Sequence, residues 1–278
     1  MSRYLSANPI RTFLLFVFVL SWPFLIYGFG WFGSAETVLT RYLFACTGMF
    51  MVALSAFITR AFVEQKGFHD VGWNFGHISW YLAALLLFVF LWLGPPLAAL
   101  PFGKLSLNQN LNRGEMLVII LSLGGFSLLA GFGEEFGWRG YLIPRMLRER
   151  KRSREVLVLI GLIWGVWHCA VDIGPLIRAL VEGEASWVSL IVPTLLHCLQ
   201  SIAASVALSL IFGAVWLKSR SIFLSSFFHG YYIGVRDSAS LIFSYPTIFR
   251  LVTLVATLIT WFVAYHWLQE FERQEESM

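Results

Sequence analysis

"MLVIILSLGGFSLLAGFGEEFGWRGYLIPRM", residues 116–146, runs through eighteen uncharged and mostly apolar residues before it meets Glu134, Glu135 and Arg139. A run of that length approaches the ~20 residues needed to cross the hydrocarbon core of a bilayer. The charged cluster therefore stands where ionisable groups cost a few kcal/mol each, so each one present is a functional candidate by default.

The rest of the chain agrees with this opening. Of its 278 residues 58% are hydrophobic, 17% aromatic and only 13% charged, roughly half the charged fraction of a soluble domain, which is about 25%. Further apolar runs lie at Thr12 to Trp31, Val38 to Thr59, Trp80 to Leu100, Val156 to Val171, Val188 to Trp216, Ile222 to Gly234 and Tyr245 to Leu268. Together with Met116 to Gly133 they predict an all-α polytopic membrane helix bundle of about eight transmembrane helices, built as a single domain over 1–278. The fifth and seventh runs are short for a crossing, and each contains a histidine.

Lysine and arginine set the expected orientation. With the amino terminus inside, the even loops hold Arg60, Lys66, Arg139, Arg145, Arg148, Arg150, Lys151, Arg152, Arg154, Lys218 and Arg220, and the odd loops hold Arg41, Lys104, Arg113, Arg178 and Arg236. Eleven against five predicts both termini in the cytoplasm. The net charge of +4 is then a topology signal with membrane lipids as its partner, and nucleic acid is not needed to explain it. Arg3 and Arg11 ahead of the first run superficially suggest a secretory signal, but the run is long and lacks a small-x-small cleavage site, so a retained first helix is expected. Cys46, Cys169 and Cys198 have no metal-ligand spacing and read as buried thiols. No internal repeat, nucleotide-binding glycine motif or second domain is evident.

Continued as a helix, Glu135 and Arg139 share a face and can pair, while Glu134 points about 100° away without that partner. One glutamate is then structural and the other free to act as a base. A bridge at the membrane edge, with the second glutamate facing solvent, is the alternative. Gly131, Gly133, Gly137 and Gly140 would let neighbouring helices approach closely. In "WGVWHCAVD" Trp164 and His168 share a face, and Asp172 follows one turn on, at the outer membrane surface. His229 lies in "SSFFHGYYIG", and His197 reads as a packing or bridging residue. A lone histidine in an apolar helix is most often just hydrogen-bonded to a neighbour. Taken together, two carboxylates, an arginine and two histidines on separate spans can activate a water for attack on a peptide carbonyl.

The ordered set "EEFGWR", "WGVWH" and "FFHGYYI" resembles the CAAX prenyl protease (type II) and bacteriocin-processing family, which includes lysostaphin resistance protein A-like proteins. The likeness covers a core of about 115–235. It implies an intramembrane endopeptidase of about eight helices. In it Glu134 activates water with His168 as partner, His229 serves the oxyanion, and Glu135, Arg139 and Trp164 support them. It also implies a peptide or protein substrate, lipidated in the best-known branch, cut on the cytoplasmic side of the cell membrane. Trp164 stands where the family usually has phenylalanine, and Ile233 where proteolytic members commonly have asparagine. The second change removes an oxyanion donor unless Tyr231, Tyr232 or a backbone amide replaces it. A carboxylate and two histidines are also a zinc set; metal-free chemistry is expected, with Glu134, His168 and His229 as the ligands if a metal takes part. Two other classes compete: a non-catalytic membrane scaffold or immunity protein on the same fold, and a transporter using these groups as a proton relay.

Overall fold

The computed structural model describes residues 8–32, 38–109, 111–149, 152–183 and 187–277. Arg3, Arg150 and Lys151 lie outside the described residues. Within them eight long helices are present: α1 (Pro9–Trp31), α2 (Val38–Ile58), α3 (Ile78–Ala99), α4 (Arg113–Glu135), α6 (Ser153–Glu182), α7 (Trp187–Ser219), α8 (Ile222–Ile242) and α9 (Leu251–Ser277). A short α5 (Ile143–Glu149) continues the line of α4 after a π-helical segment, Phe136–Leu142. A two-residue antiparallel ladder, β1 (Ser106–Leu107) on β2 (Phe243–Ser244), pairs Ser106 with Ser244 and Leu107 with Phe243.

Seven of the long helices are apolar enough to cross a membrane by length and composition. The chain is thus an integral multi-pass membrane protein, and the polytopic helical bundle predicted from its sequence is borne out. The short fifth run extends to the 30 residues of α6, and the seventh to the 21 of α8. The helix that does not qualify is α8. It carries Arg236 and Asp237, yet it runs antiparallel along α4 for the depth of the bundle, from Ile222 near Gly140 to Gly234 near Gly124. Large apolar side chains point outward on α3 (Leu82, Leu86, Phe90) and α9 (Leu258, Ile259, Phe262). In water such a surface would aggregate; in a bilayer it is the lipid-facing side.

The long helices alternate in direction along the chain, so the connections fall into two groups. At one end lie the start of α1, residues 59–77, α5, the α7–α8 turn and the end of α9. These are tied by the Arg145–Glu64 and Arg60–Asp70 ion pairs, by Arg154 to Glu272 at 2.7 Å, and by Ile222 N–H donating to the Gly72 carbonyl at 2.9 Å. We call this the basic end. The opposite end holds the β1–β2 ladder, the end of α6 and the start of α7.

Candidate active site

Small residues set the helix spacing on which the site depends. A Cβ on Gly131 of α4 would come within 2.6 Å of Gly230 N on α8, and one on Gly230 within 2.4 Å of the Ser127 carbonyl. The two backbones touch there. The expected close approaches at Gly133, Gly137 and Gly140 are also present, against Phe50, Val52 and Val71. This contact sets the ends of α4 and the middle of α8 side by side, and so brings Glu134 and Glu135 to His229.

Glu135 is fully buried and does two things at once. Its Oε1 accepts from Arg139 Nη1 at 2.7 Å and pairs with His229 Nδ1 at 2.8 Å. The Arg139 guanidinium lies 5.0 Å from the Trp164 ring centroid and 5.4 Å from that of Phe212. A buried cation with one carboxylate bond gains further support from such ring faces. The i, i+4 pairing read from the sequence is therefore present, although the backbone beyond Glu135 is not ordinary α-helix. From Phe136 to Leu142 it widens to π-helix, with every residue of the segment buried. π-Helical turns inside α-helices are frequent at functional sites, although a second one here, Thr59–Val63, lies away from the cavity.

Glu134 has a different set of neighbours. Its Oε2 accepts from Trp138 Nε1 at 3.2 Å and from Trp164 Nε1 at 2.5 Å, while Oε1 has no hydrogen-bond partner. Glu134 is fully buried, so the alternative of a solvent-facing second glutamate at the membrane edge does not hold. Sequence reasoning overlooked Trp138, although the spacing of four that pairs Glu135 with Arg139 also pairs Glu134 with Trp138.

His168 Nδ1 lies 3.0 Å from the Trp164 carbonyl. A carbonyl only accepts, so Nδ1 carries the proton and Nε2 presents a lone pair. The ring packs edge-on against Trp164 and Trp167, at 5.1 and 4.8 Å between centroids. His229 is likewise gripped, 5.3 Å from Trp164 and 5.2 Å from Phe212.

Glu134, His168 and His229 line one cavity of about 320 Å³, together with Ser127, Trp164, Trp167, Asp172, Ser201, Tyr232, Ile233 and Arg236. Glu135 and Arg139 stand behind its wall. Asp172, expected at the outer surface, is in the cavity, where Ser201 Oγ donates to it at 3.4 Å and His197 Nδ1 lies 3.9 Å away, too far for a hydrogen bond. His197 itself is 66% exposed and remote from the glutamates. Of the two tyrosines considered as substitutes for the missing asparagine, Tyr232 lines the cavity beside Ile233. The buried indole Nε1 of Trp167, also on the cavity wall, has no hydrogen-bond partner. Among the described residues, no three His, Cys, Asp or Glu side chains are placed to hold a metal ion. In particular, Glu134 Oε2 is already committed to two indole donors.

Residues 116–234 match the family model described as Type II CAAX prenyl endopeptidase Rce1-like. The match begins on α4 and ends on α8, so it contains every residue of the glutamate, Trp-x-x-x-His and final histidine motifs. The likeness to the CAAX protease family drawn from those motifs is borne out over this segment, and the family is one of proteases. Among curated proteins, none matches the chain.

Proposed function

With residues 116–234 matching a family of membrane endopeptidases, we propose that the chain is an intramembrane endopeptidase using Glu134 to activate water, in the cell membrane, without a resident cofactor. The observation that carries this is the state of Glu134. One oxygen is held by two indole N–H groups and the other has no partner, in a cavity shared with His168 and His229.

A water between Glu134 Oε1 and His168 Nε2 donates to both, which orients its lone pair toward a peptide carbonyl in the cavity. Attack forms the C–O bond as the water proton passes to Glu134. Collapse of the tetrahedral intermediate then breaks the C–N bond, and Glu134 delivers that proton to the departing amine. The developing oxyanion needs a donor. His229, whose Nδ1 is 2.8 Å from Glu135 Oε1, would supply one from Nε2 only in its doubly protonated form. A zinc ion, the alternative, would take Glu134, His168 and His229 only if these side chains moved together, since among the described residues no three such groups are placed to hold a metal ion. The substrate is a peptide or protein segment, lipidated or not, with membrane lipids around the bundle and no role for nucleic acid.

The test is cleavage of a panel of membrane-tethered peptides, some prenylated, by the purified chain in bilayers. Cutting that is lost in Glu134→Gln and survives chelation supports the mechanism; cutting abolished by chelation and restored by zinc points to the metal. Ile233 on the cavity wall favours a second reading, the non-catalytic scaffold, and a broad panel without turnover would select it.

A further inference from the structure

The helices run in known directions, so the cavity lining can be ordered by depth. Toward the basic end, the site is closed by the π-helical segment, whose seven residues are all buried. Phe13 of α1 packs into the same plug, 5.9 Å from the Trp138 ring and 4.7 Å from that of Tyr141. A depression of about 400 Å³ does exist at the basic end, lined by Asp70, Gly72, Ser153 and Trp216 among others, and it shares no residue with the site cavity. Toward the opposite end the situation reverses. There the cavity is lined by Phe29 and Tyr42, near the far ends of α1 and α2, and by Asp172, Arg236 and Asp237, beyond His168 and His229 on their helices. Phe29 and Asp172 also line a second open depression of about 700 Å³, which reaches Arg41, Arg178 and the exposed His197.

We propose that water and substrate reach Glu134 from the end opposite the basic loops, through a throat at Asp172. Charge bias places the basic end in the cytoplasm, so the throat opens on the outer side of the membrane. The substrate class is then a peptide segment offered from that side, an exported or outer-leaflet polypeptide, in place of the cytoplasmic lipidated tail that the family likeness implies. The polar rim fits an aqueous approach. Arg236 Nε donates to Asp237 at 2.6 Å, Tyr42 donates to the same carboxylate at 2.9 Å, and the Arg236 side chain is 40% exposed. An ion-paired, half-exposed arginine at this depth belongs beside water and not beside lipid tails.

The identity of the traveller rests on the peptidase proposal; the side of access does not, and it is measured without turnover. The full chain, with its native cysteines, is placed in sealed vesicles and treated with a membrane-impermeant, negatively charged methanethiosulfonate, with the labelled residue located by mass spectrometry. Lys66→Cys marks the basic end and Lys104→Cys the opposite one; Ser201→Cys reports the throat and His168→Cys the floor. The native Cys46 on the cavity wall is a further reporter that needs no substitution. The expected result is that the throat, the floor and Cys46 label with the sidedness of Lys104→Cys, and that Lys104→Cys, but not Lys66→Cys, labels in intact cells. Labelling of the cavity with the sidedness of Lys66→Cys, or from neither side, overturns the proposal, as does labelling of Lys66→Cys in intact cells. Glu134→Gln separates the two ideas, since it should lose cleavage and keep the labelling pattern. Labelling as expected with no peptide cut would sink the peptidase and leave the access route standing.

Discussion

Replacing each of the two adjacent glutamates by glutamine makes the same chemical change one residue apart, and the structure assigns the two changes opposite consequences. Glu135 and Arg139 are both fully buried and 2.7 Å apart. In Glu135→Gln the guanidinium keeps its ring contacts but loses its only carboxylate, and breaking a buried pair from one side costs about 3–5 kcal/mol. At about 2–4 °C per kcal/mol for a chain of this size, Tm should fall by about 6–20 °C. In Glu134→Gln the amide oxygen can still accept from Trp138 and Trp164, and no cation is stranded. Its Tm should hold or rise, while cleavage falls by about 10²–10⁴, the range for losing a general base. Thermal unfolding of both variants in the same detergent, beside turnover of one membrane-tethered peptide, decides the matter. Glu135→Gln with unchanged Tm, or Glu134→Gln unfolding early, would refute the division of labour between the two carboxylates.

Three further outcomes follow from the geometry. Ile233→Asn should restore a donor to the cavity wall and raise kcat by about 10–10² with little change in KM; an unchanged kcat in steady-state assays would mean that the oxyanion lies elsewhere. Gly230→Ala forces a Cβ to 2.4 Å from the Ser127 carbonyl, whereas Gly125→Ala meets nothing within 4 Å. The first should cost at least the ~1–3 kcal/mol of an overpacked core and the second should be near neutral, as thermal shifts in detergent would report. At the basic end, burial raises the Asp70 carboxyl, but the hydrogen bond and charge of Arg60, with Arg145 behind, outweigh it and hold Asp70 below its ordinary range. A depressed acid stabilises the fold above its unfolded pKa and stops doing so as pH falls through the folded one, so Asp70→Asn should flatten the acid limb of a stability-against-pH curve.

How much of this was readable in the residues depends on how local each signal was. The helical class and most spans follow from runs of apolar residues, and the Glu135–Arg139 pair from a spacing of four. The length of α8 did not follow. Arg236 and Asp237 end the apolar run in sequence, but in space they face an internal cavity. A window average cannot distinguish a charge that terminates a span from one that points into its interior. The π-helical turn had no sequence signal, because i→i+5 bonding across Phe136–Leu142 depends on what α2 and α8 press against it. Nor could Glu135 be joined to His229, 94 residues away, except through the Gly131–Gly230 contact, which needs both helices already in place.

The two departures from the family pattern act on the same cavity in opposite senses. On the proposed mechanism Ile233 removes a donor from the cavity wall that would face the substrate carbonyl, while Trp164 adds one, its indole N–H, to the carboxylate that would activate the water. A phenylalanine at 164 would fill much of the same space and could still lie against Arg139, but Glu134 Oε2 would keep only the longer bond from Trp138. The added donor fixes which oxygen of Glu134 stays free, and charge-assisted bonds of this kind contribute about 1.5–3 kcal/mol. On the proposed mechanism the base is thus better defined in this chain than the oxyanion site, for which His229 and the Trp167 and Tyr232 side chains are the candidate donors. Trp164→Phe with Ile233→Asn, the pair that restores the usual residues, isolates this coupling. If the two positions compensate each other, the double variant should cut faster than the sum of the single effects predicts, by an interaction of about 0.5–3 kcal/mol. Strict additivity in a double-mutant cycle on kcat/KM would mean that the two departures are independent and that the indole bond to Glu134 does no more than pack the site.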